Sequence, residues 1–240
     1  MQSIENDRRL ALSSGNPFHT EIPLYHKERL PSDVLVTVVV PDFYHVALPN
    51  LGHQMVEHQI NQTPGFFADR AYLSHDYALL KECSATRPEV IFISMSYEGS
   101  YIRALRILDL LGVPLRREDR TEADPFVVIG GWSVSRNPLP LFDFADAIGI
   151  GASEHIVDNI LTAYKSHKGS KEKVAEALVD KEGIIIPERY RVATEGGYLA
   201  TWEPQNAPME IYQSISPQFP QSWYLSPETE NNDIVYNGGK

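Results

Sequence analysis

Two stretches decide the fold: residues 126–133, FVVIGGWS, and residues 146–154, DAIGIGASE. Each is a short apolar run that ends in small and polar residues. Such a run is typical of a buried strand of a parallel sheet, and the small residues mark the loop at the strand's carboxyl end. Ligands bind at that edge of an open α/β sheet, and glycine lets a ligand approach the backbone closely. The two stretches therefore predict a ligand-binding edge.

Further runs of the same kind, separated by helical patterns, extend this edge along the chain. The predicted strands are residues 34–40, 66–73, 90–94, 126–129 and 147–150. The predicted helices begin near Asn50 and cover residues 77–83, 101–111 and 154–164. Strands that alternate with helices favour an α/β fold. We expect a doubly wound, Rossmann-like parallel sheet of five strands in flavodoxin-like order.

Local signals set the boundaries of these elements. Pro41 is expected to end the first strand, because proline removes a ladder hydrogen bond. Asn50 and Ser153 are expected to cap the helices that follow them. The helix at residues 101–111 has one apolar face. That face consists of Ile102, Leu105, Leu108 and Leu111.

The rest of the chain differs in composition from the predicted sheet domain at residues 33–168. Residues 1–32 lack a sustained period and are interpreted as an N-terminal arm. Residues 169–203 predict a small α+β appendage, with a helix at 171–181, short strands at 184–187, 190–194 and 198–202, and a hairpin turn at Glu195-Gly196-Gly197. Residues 204–240 are rich in Pro, Gln, Ser and Asn and are interpreted as a linker.

Composition excludes several classes of protein. The single cysteine, Cys83, rules out an intrachain disulfide and a metal cluster built from cysteines. A net charge of −11 argues against nucleic acid as a partner, and a basic group is interpreted as a solvated helix face and loop. That group consists of Arg103, Arg106, Arg116, Arg117 and Arg120. No apolar run is long enough to span a membrane and no secretory signal is visible, so we expect a cytoplasmic protein without a membrane partner.

The candidate ligand-binding residues follow the predicted parallel strands, and none of them is predicted to be catalytic or to bind a metal. They are Asp42, Tyr44, His45, Asn50, Ser94, Ser96, Tyr97, Gly130, Gly131, Trp132, Ser133, Gly149, Gly151, Ser153 and Glu154. Hydroxyls, an amide and exposed backbone N–H groups suit a large polar ligand. His45 is the one side chain among them whose chemistry suits an axial metal ligand or a general base, but the favoured interpretation is a loop histidine bonded to backbone. Residues 149–151 lack the third glycine of a dinucleotide fingerprint, which argues against a nicotinamide site.

An ordered set of motifs resembles the N-terminal cobalamin (B12)-binding-type domain of radical S-adenosylmethionine proteins. The motifs are residues 40–44 (VPDFY), 50–52 (NLG), 93–97 (ISMSY), Gly130-Gly131, Asn137-Pro138, Phe142, Asp146-Ala147, Gly149, Gly151 and Glu154. The resemblance covers residues 34–164, and residues 184–202 more weakly. It implies a Rossmann-like domain that holds cobalamin against the carboxyl edge of its sheet, with the nucleotide tail between the sheet and the helices.

The same resemblance assigns parts of the site and a partner. Ser94, Ser96, Gly130, Gly131 and Trp132 are implied to line the tail or the corrin ring, with Gly149, Gly151 and Glu154 completing the rim. In this family a following barrel carries a Cys-x-x-x-Cys-x-x-Cys motif for a [4Fe–4S] cluster and cleaves S-adenosylmethionine, often for radical methylation. With one cysteine this chain lacks that motif. We therefore expect the barrel in cis, if the chain is truncated, or in trans.

Two departures from related patterns keep an alternative open. The Asp-x-His-x-x-Gly signature of cobalamin domains that ligate cobalt through histidine is missing, so cobalt is expected without a protein imidazole. Residues 151–154 (GASE) replace the usual Gly-Glu rim. The alternative function is a cofactor-free docking module that has lost cobalamin binding, in which Trp132 plugs the site. A flavodoxin-like reductase is disfavoured because no phosphate loop follows the first strand.

Overall fold

The computed structural model describes residues 21–22, 27–82, 87–196, 198–215 and 228–229. Its strands are β1 (Glu21–Ile22), β2 (Val34–Phe43), β3 (Phe66–Leu73), β4 (Leu79–Lys81), β5 (Val90–Ser94), β6 (Phe126–Gly130), β7 (Ala147–Gly149), β8 (Ile184–Ile185), β9 (Tyr190–Glu195), β10 (Tyr198–Pro204) and β11 (Glu228–Thr229). Its α-helices are α1 (Tyr44–Ala47), α2 (Leu51–Gln62), α3 (Tyr101–Leu110), α4 (Trp132–Arg136), α5 (Ser153–Ser166) and α6 (Lys171–Leu178). Most of the predicted arm, Cys83 and much of the predicted linker lie outside the described residues.

The main sheet is mixed and, within the described residues, has seven strands in the order β4-β3-β2-β5-β6-β7-β8. Strands β3, β2, β5, β6 and β7 pair in parallel, while β4 and β8 pair antiparallel with β3 and β7 at the two edges. The predicted five-stranded, all-parallel sheet is therefore wrong in strand number and in its edges. Helices connect the parallel strands, as expected for such crossovers.

The predicted helix at residues 77–83 is wrong. Leu79–Lys81 form β4, in register with residues 71–73 of β3. A turn at residues 74–78 sends the chain back, with Tyr77 in the left-handed region at φ 60° and the Ser74 hydroxyl accepting from the Ala78 N–H. Pairing across the sheet thus overrides the local helical pattern.

Strand β2 continues past Pro41 to Phe43, which corrects the predicted end at residue 40. The pairing of β2 with β3 shifts register between Val39 and Phe43. A proline is tolerated at such an irregularity, because no regular ladder hydrogen bond is lost there. The two added residues carry the chain to the carboxyl edge of the sheet.

Helices cover both faces of the sheet. On one face, α2, α5 and α6 pack against Val36, Phe92 and Val128, and on the other face α3 packs through Ala104, Ile107 and Leu108. The apolar face predicted for α3 is wrong at Ile102, whose side chain is 76% exposed. Among the described residues, no helix is both long and apolar enough to span a bilayer.

The helix caps agree with the sequence in one case and differ in the other. Asn50 accepts a hydrogen bond from the Gly52 N–H, so its predicted role as the cap of α2 is confirmed. The predicted cap at Ser153 is wrong, because Ala152 occupies that position and Ser153 is the first residue of α5. The Ala152 N–H donates to the Ser214 carbonyl, and no side chain caps α5. Ser153 lines the cavity described below.

Candidate functional site

A cavity of about 360 Å³ opens at the carboxyl edge of the sheet, between strands β5–β7 and the first turns of α2 and α5. It is lined by Gly52, Val56, Phe92, Ile93, Ser94, Val128, Gly130, Gly131, Trp132, Gly149, Gly151, Ser153, Ile156 and Val157. The cavity lies where the sequence predicted a ligand-binding edge.

Seven of the predicted site residues line this cavity. They are Ser94, Gly130, Gly131, Trp132, Gly149, Gly151 and Ser153. Gly131 has φ 114°, and a Cβ on it would lie 2.3 Å from the Met95 carbonyl oxygen. Only glycine fits there, because every other residue would need a strained backbone and would collide with the neighbouring loop. The close approach of the two loops therefore depends on Gly131.

Hydrogen bonds hold the mouth of the cavity in place. The Met95 N–H donates to the Gly130 carbonyl at 2.8 Å, and the buried Ser133 donates its N–H and its hydroxyl to the Met95 carbonyl. Asn50 Nδ2 donates to Ser96 Oγ, which joins the loop before α2 to the loop after β5. Predicted residues Asn50, Ser96 and Ser133 thus support the mouth without lining the cavity.

Ser135, which the sequence did not single out, links the two glycine loops. Its hydroxyl donates to the Gly131 carbonyl at 3.1 Å and accepts from the Gly151 N–H at 3.0 Å. Ser214 also holds the second of these loops, because its N–H donates to the Ile150 carbonyl and its carbonyl accepts from the Ala152 N–H. Nothing in the local sequence of Ser135 or Ser214 signals these contacts, which arise from tertiary packing.

The remaining predicted residues lie away from the cavity lining. Asp42 pairs with Arg103, Tyr44 packs edge-on against Tyr72, and His45 stacks on His75 with ring centroids 4.8 Å apart. The Tyr97 side chain is exposed. Glu154 accepts from Gln59 Nε2 through its main-chain oxygen. Their predicted roles in binding stay predictions.

The deep part of the cavity consists of apolar side chains that the sequence analysis missed. Phe92 and Val128 come from the sheet, Val56 from α2, and Ile156 and Val157 from α5. Strand alternation could have found the first two, because both face the layer that contains α2 and α5. Val56, Ile156 and Val157 could not be identified from the sequence, because it does not show which turn of each helix lies at the cavity.

The cavity is lined by apolar side chains and glycines, with two serine hydroxyls and the Trp132 indole as its polar side-chain groups. None of the described residues that line the cavity is ionisable, so no lining side chain can act as a general acid or base. Trp132 stands at the rim with 66% of its surface exposed, and the Arg136 guanidinium lies 5.6 Å from the centre of its ring. The indole therefore leaves the cavity open and offers a flat surface beside the opening.

Helix α2, which supplies Gly52 and Val56, also buries a histidine. His53 is fully buried, and its Nε2 lies 3.0 Å from the Tyr72 hydroxyl oxygen. Burial, reinforced by the positive charge of Arg70, lowers the pKa of His53 to about 3. The imidazole is therefore neutral in the folded protein at physiological pH.

The buried His53 should make the protein acid-sensitive. The unfolded state binds a proton below about pH 6.5 while the folded state does not until about pH 3, so stability falls as pH falls through this window. Between pH 7.5 and pH 5 we expect the natural chain to lose about 2 kcal/mol more unfolding free energy than His53→Gln. Urea unfolding at each pH measures this, with the exposed His155→Gln as control. Identical pH profiles for the natural chain and His53→Gln would contradict the assignment.

Comparisons with known proteins place the chain among radical S-adenosylmethionine (SAM) proteins. The family model "Radical SAM proteins, N-terminal" matches residues 52–187. A search of the curated proteins finds no significant match. Two solved structures of the cobalamin-dependent S-adenosylmethionine radical enzyme OxsB are similar to the chain at 15% identity.

The OxsB structures are much longer than this chain. The one with aqua-cobalamin and S-adenosylmethionine bound has a TM-score of 0.42, over 82% of this chain and 23% of that one. The one with aqua-cobalamin bound has a TM-score of 0.43, over 88% and 28%. This chain thus spans about a quarter of their length. Because the family model matches more than half of the chain, the chain belongs to the family of radical SAM proteins, as their N-terminal domain.

Proposed function

We propose that the chain binds cobalamin at the cavity described above and serves as the cofactor-binding domain of a radical SAM enzyme. One observation carries the proposal: Ser94, the Gly130-Gly131 pair and the Gly149 and Gly151 loop, which come from separate motifs, line one cavity. These are the residues that the resemblance assigns to the cobalamin tail and rim. Membership in the radical SAM N-terminal family supports the same assignment.

The shape of the site fits a ligand that is only partly buried. A cavity of about 360 Å³ is near the lower end of the range for small-molecule sites, so it can hold the nucleotide tail of cobalamin but not the corrin ring. The glycines at the mouth leave room for the tail to pass close to the backbone. Trp132 then lies at the rim, where its exposed indole can contact the corrin.

We propose that cobalt is held without a protein imidazole, because the chain lacks the Asp-x-His-x-x-Gly signature. His45 stacks on His75 and His53 is buried against Tyr72, and neither lines the cavity. An imidazole that reached cobalt would have to stand beside the cavity mouth. The tail in the cavity and a cobalt free of histidine are therefore parts of one proposal.

In this proposal the chain binds the cofactor and a separate barrel carries out the radical chemistry. The chain would bind and orient cobalamin, which when bound would supply methyl-transfer chemistry. Radical chemistry requires S-adenosylmethionine and a [4Fe–4S] cluster, which we assign to a barrel in cis or in trans. Within the described residues no group of three or more His, Cys, Asp or Glu side chains could hold a metal.

Retention of a corrinoid tests the proposal. After incubation with hydroxocobalamin and desalting, the chain should keep the visible corrin absorbance. Ser94→Trp places an indole at the mouth and should weaken binding about tenfold or more, a loss of about 1.4 kcal/mol. Ser166→Trp, at the exposed far end of α5, serves as the control and should retain cobalamin. Absence of corrin absorbance from the natural chain would overturn the proposal.

A further inference from the structure

The inner end of the cavity contains no hydrogen-bonding side chain among the described residues. Phe92 and Val128 form the wall on the sheet side, and Val56, Ile156 and Val157 form the wall on the helix side. All five are buried. The lining hydroxyls, Ser94 and Ser153, lie at the carboxyl end of β5 and the first residue of α5, which is the mouth.

The backbone offers no donor or acceptor at this depth either. Phe92 and Val128 lie within the regular parallel pairing of β5 with β6. Val56, Ile156 and Val157 lie inside α2 and α5, where the main-chain groups bond within the helix. A polar edge that enters the inner end therefore loses its water and gains no partner.

From this lining we infer that the cavity selects among cobamides by the base at the end of their nucleotide tail. It accepts an apolar base such as dimethylbenzimidazole and disfavours a purine such as adenine. The inference rests on the proposed function, which places the tail in this cavity. The two bases have similar flat bicyclic shapes. The difference in affinity therefore comes from the chemistry of the edge of the base that enters the inner end of the cavity.

The apolar walls stabilise the methyl-bearing edge of dimethylbenzimidazole and disfavour the polar edge of adenine. The methyl groups of dimethylbenzimidazole pack against aliphatic and aromatic side chains and leave water. The exocyclic amine and ring nitrogens of adenine are stripped of water at the same place and remain unpaired. A site built from apolar side chains thus discriminates through the cost of an unsatisfied polar group.

Titration with two cobamides that share one corrin ring tests the inference. The full chain is titrated with cobalamin and with its adeninyl analogue, and binding is followed by calorimetry. We expect the adeninyl analogue to bind about 5- to 150-fold more weakly, which corresponds to about 1–3 kcal/mol. Equal affinities, or tighter binding of the analogue, overturn the inference and leave the proposed function intact. Failure of both cobamides to bind overturns the proposed function and the inference together.

A pair of adjacent substitutions refines the test. Val128→Thr adds a hydroxyl to the inner end of the cavity, where it can pair with a polar edge of the base. It should therefore reduce the difference in affinity between the two cobamides severalfold. Val127→Thr makes the same change on the opposite face of β6, in the other core, and should leave the difference unchanged. If Val128→Thr fails to fold, the comparison on the natural chain still decides the inference.

Discussion

Arg120→Ala should cost about 3–5 kcal/mol of unfolding free energy, because it removes the guanidinium that pairs with the buried carboxylate of Asp146. The guanidinium is 1% exposed and donates to Asp146 Oδ2 at 3.0 Å and to the carbonyls of Pro114, Leu115 and Phe144. Asp146 also accepts from the Val127 N–H at 2.7 Å, so the pair fixes the connection between β6 and β7. Urea unfolding of the full chain measures the loss.

A matched arginine provides the control for this prediction. Arg106 pairs with Asp109 on the surface of α3, where the two side chains are 51% and 59% exposed. Arg106→Ala should cost about 0–1 kcal/mol, because water screens such a pair. Similar losses for Arg120→Ala and Arg106→Ala would contradict the structural role of Arg120. The sequence-based interpretation of these arginines as one solvated group is wrong for Arg120, whose side chain is 1% exposed, and agrees with Arg106, whose side chain is 51% exposed.

Gly131→Ala is expected to destabilise the chain by about 2–4 kcal/mol and to abolish ligand binding at the cavity. Gly131 has φ 114° and ψ 179°, a conformation that is essentially limited to glycine. Its new Cβ would also lie 2.3 Å from the Met95 carbonyl oxygen and 2.7 Å from the Met95 nitrogen. Relief of this collision must separate the loops after β5 and β6, which form the mouth.

Gly112→Ala separates the cost of backbone strain from the cost of the collision with Met95. Gly112 ends the turn after α3 at φ 67°, and a Cβ there meets nothing within 4 Å. The substitution should therefore cost only the left-handed strain of about 1–2 kcal/mol and should leave the cavity unchanged. Thermal unfolding and cobalamin titration of both variants measure the difference. A Gly131→Ala chain that matches Gly112→Ala in both measurements would show that the loops tolerate the added methyl group.

The sequence predicted the parallel strands well because both of their faces are buried. Residues 90–94 and 126–129 are continuous apolar runs, and such runs occur where helices cover both sides of a sheet. The edge strands β4 and β8 were missed or misplaced for the opposite reason. Each has two or three residues and exists through pairing with a distant strand, which leaves little local pattern.

The site was predictable at its mouth and not at its depth. Gly131 and Gly151 could be found because a strand that ends in glycine is a local signal. The link that Ser135 makes between their loops depends on the position of α4 against β7. The apolar walls at Phe92 and Val157 look in the sequence like any other core residues. Their role follows only from the opening between the sheet and α5.

The electron paramagnetic resonance (EPR) spectrum of bound cob(II)alamin tests the central claim most directly, because its unpaired electron reports an axial nitrogen ligand on cobalt. If the nucleotide tail lies in the cavity and no histidine reaches the metal, the spectrum of cob(II)alamin bound to the full chain lacks nitrogen splitting. The control is free cob(II)alamin at neutral pH, whose own base coordinates cobalt and gives the splitting. Nitrogen splitting from the bound form would contradict the account, since a base or an imidazole would then be on the metal.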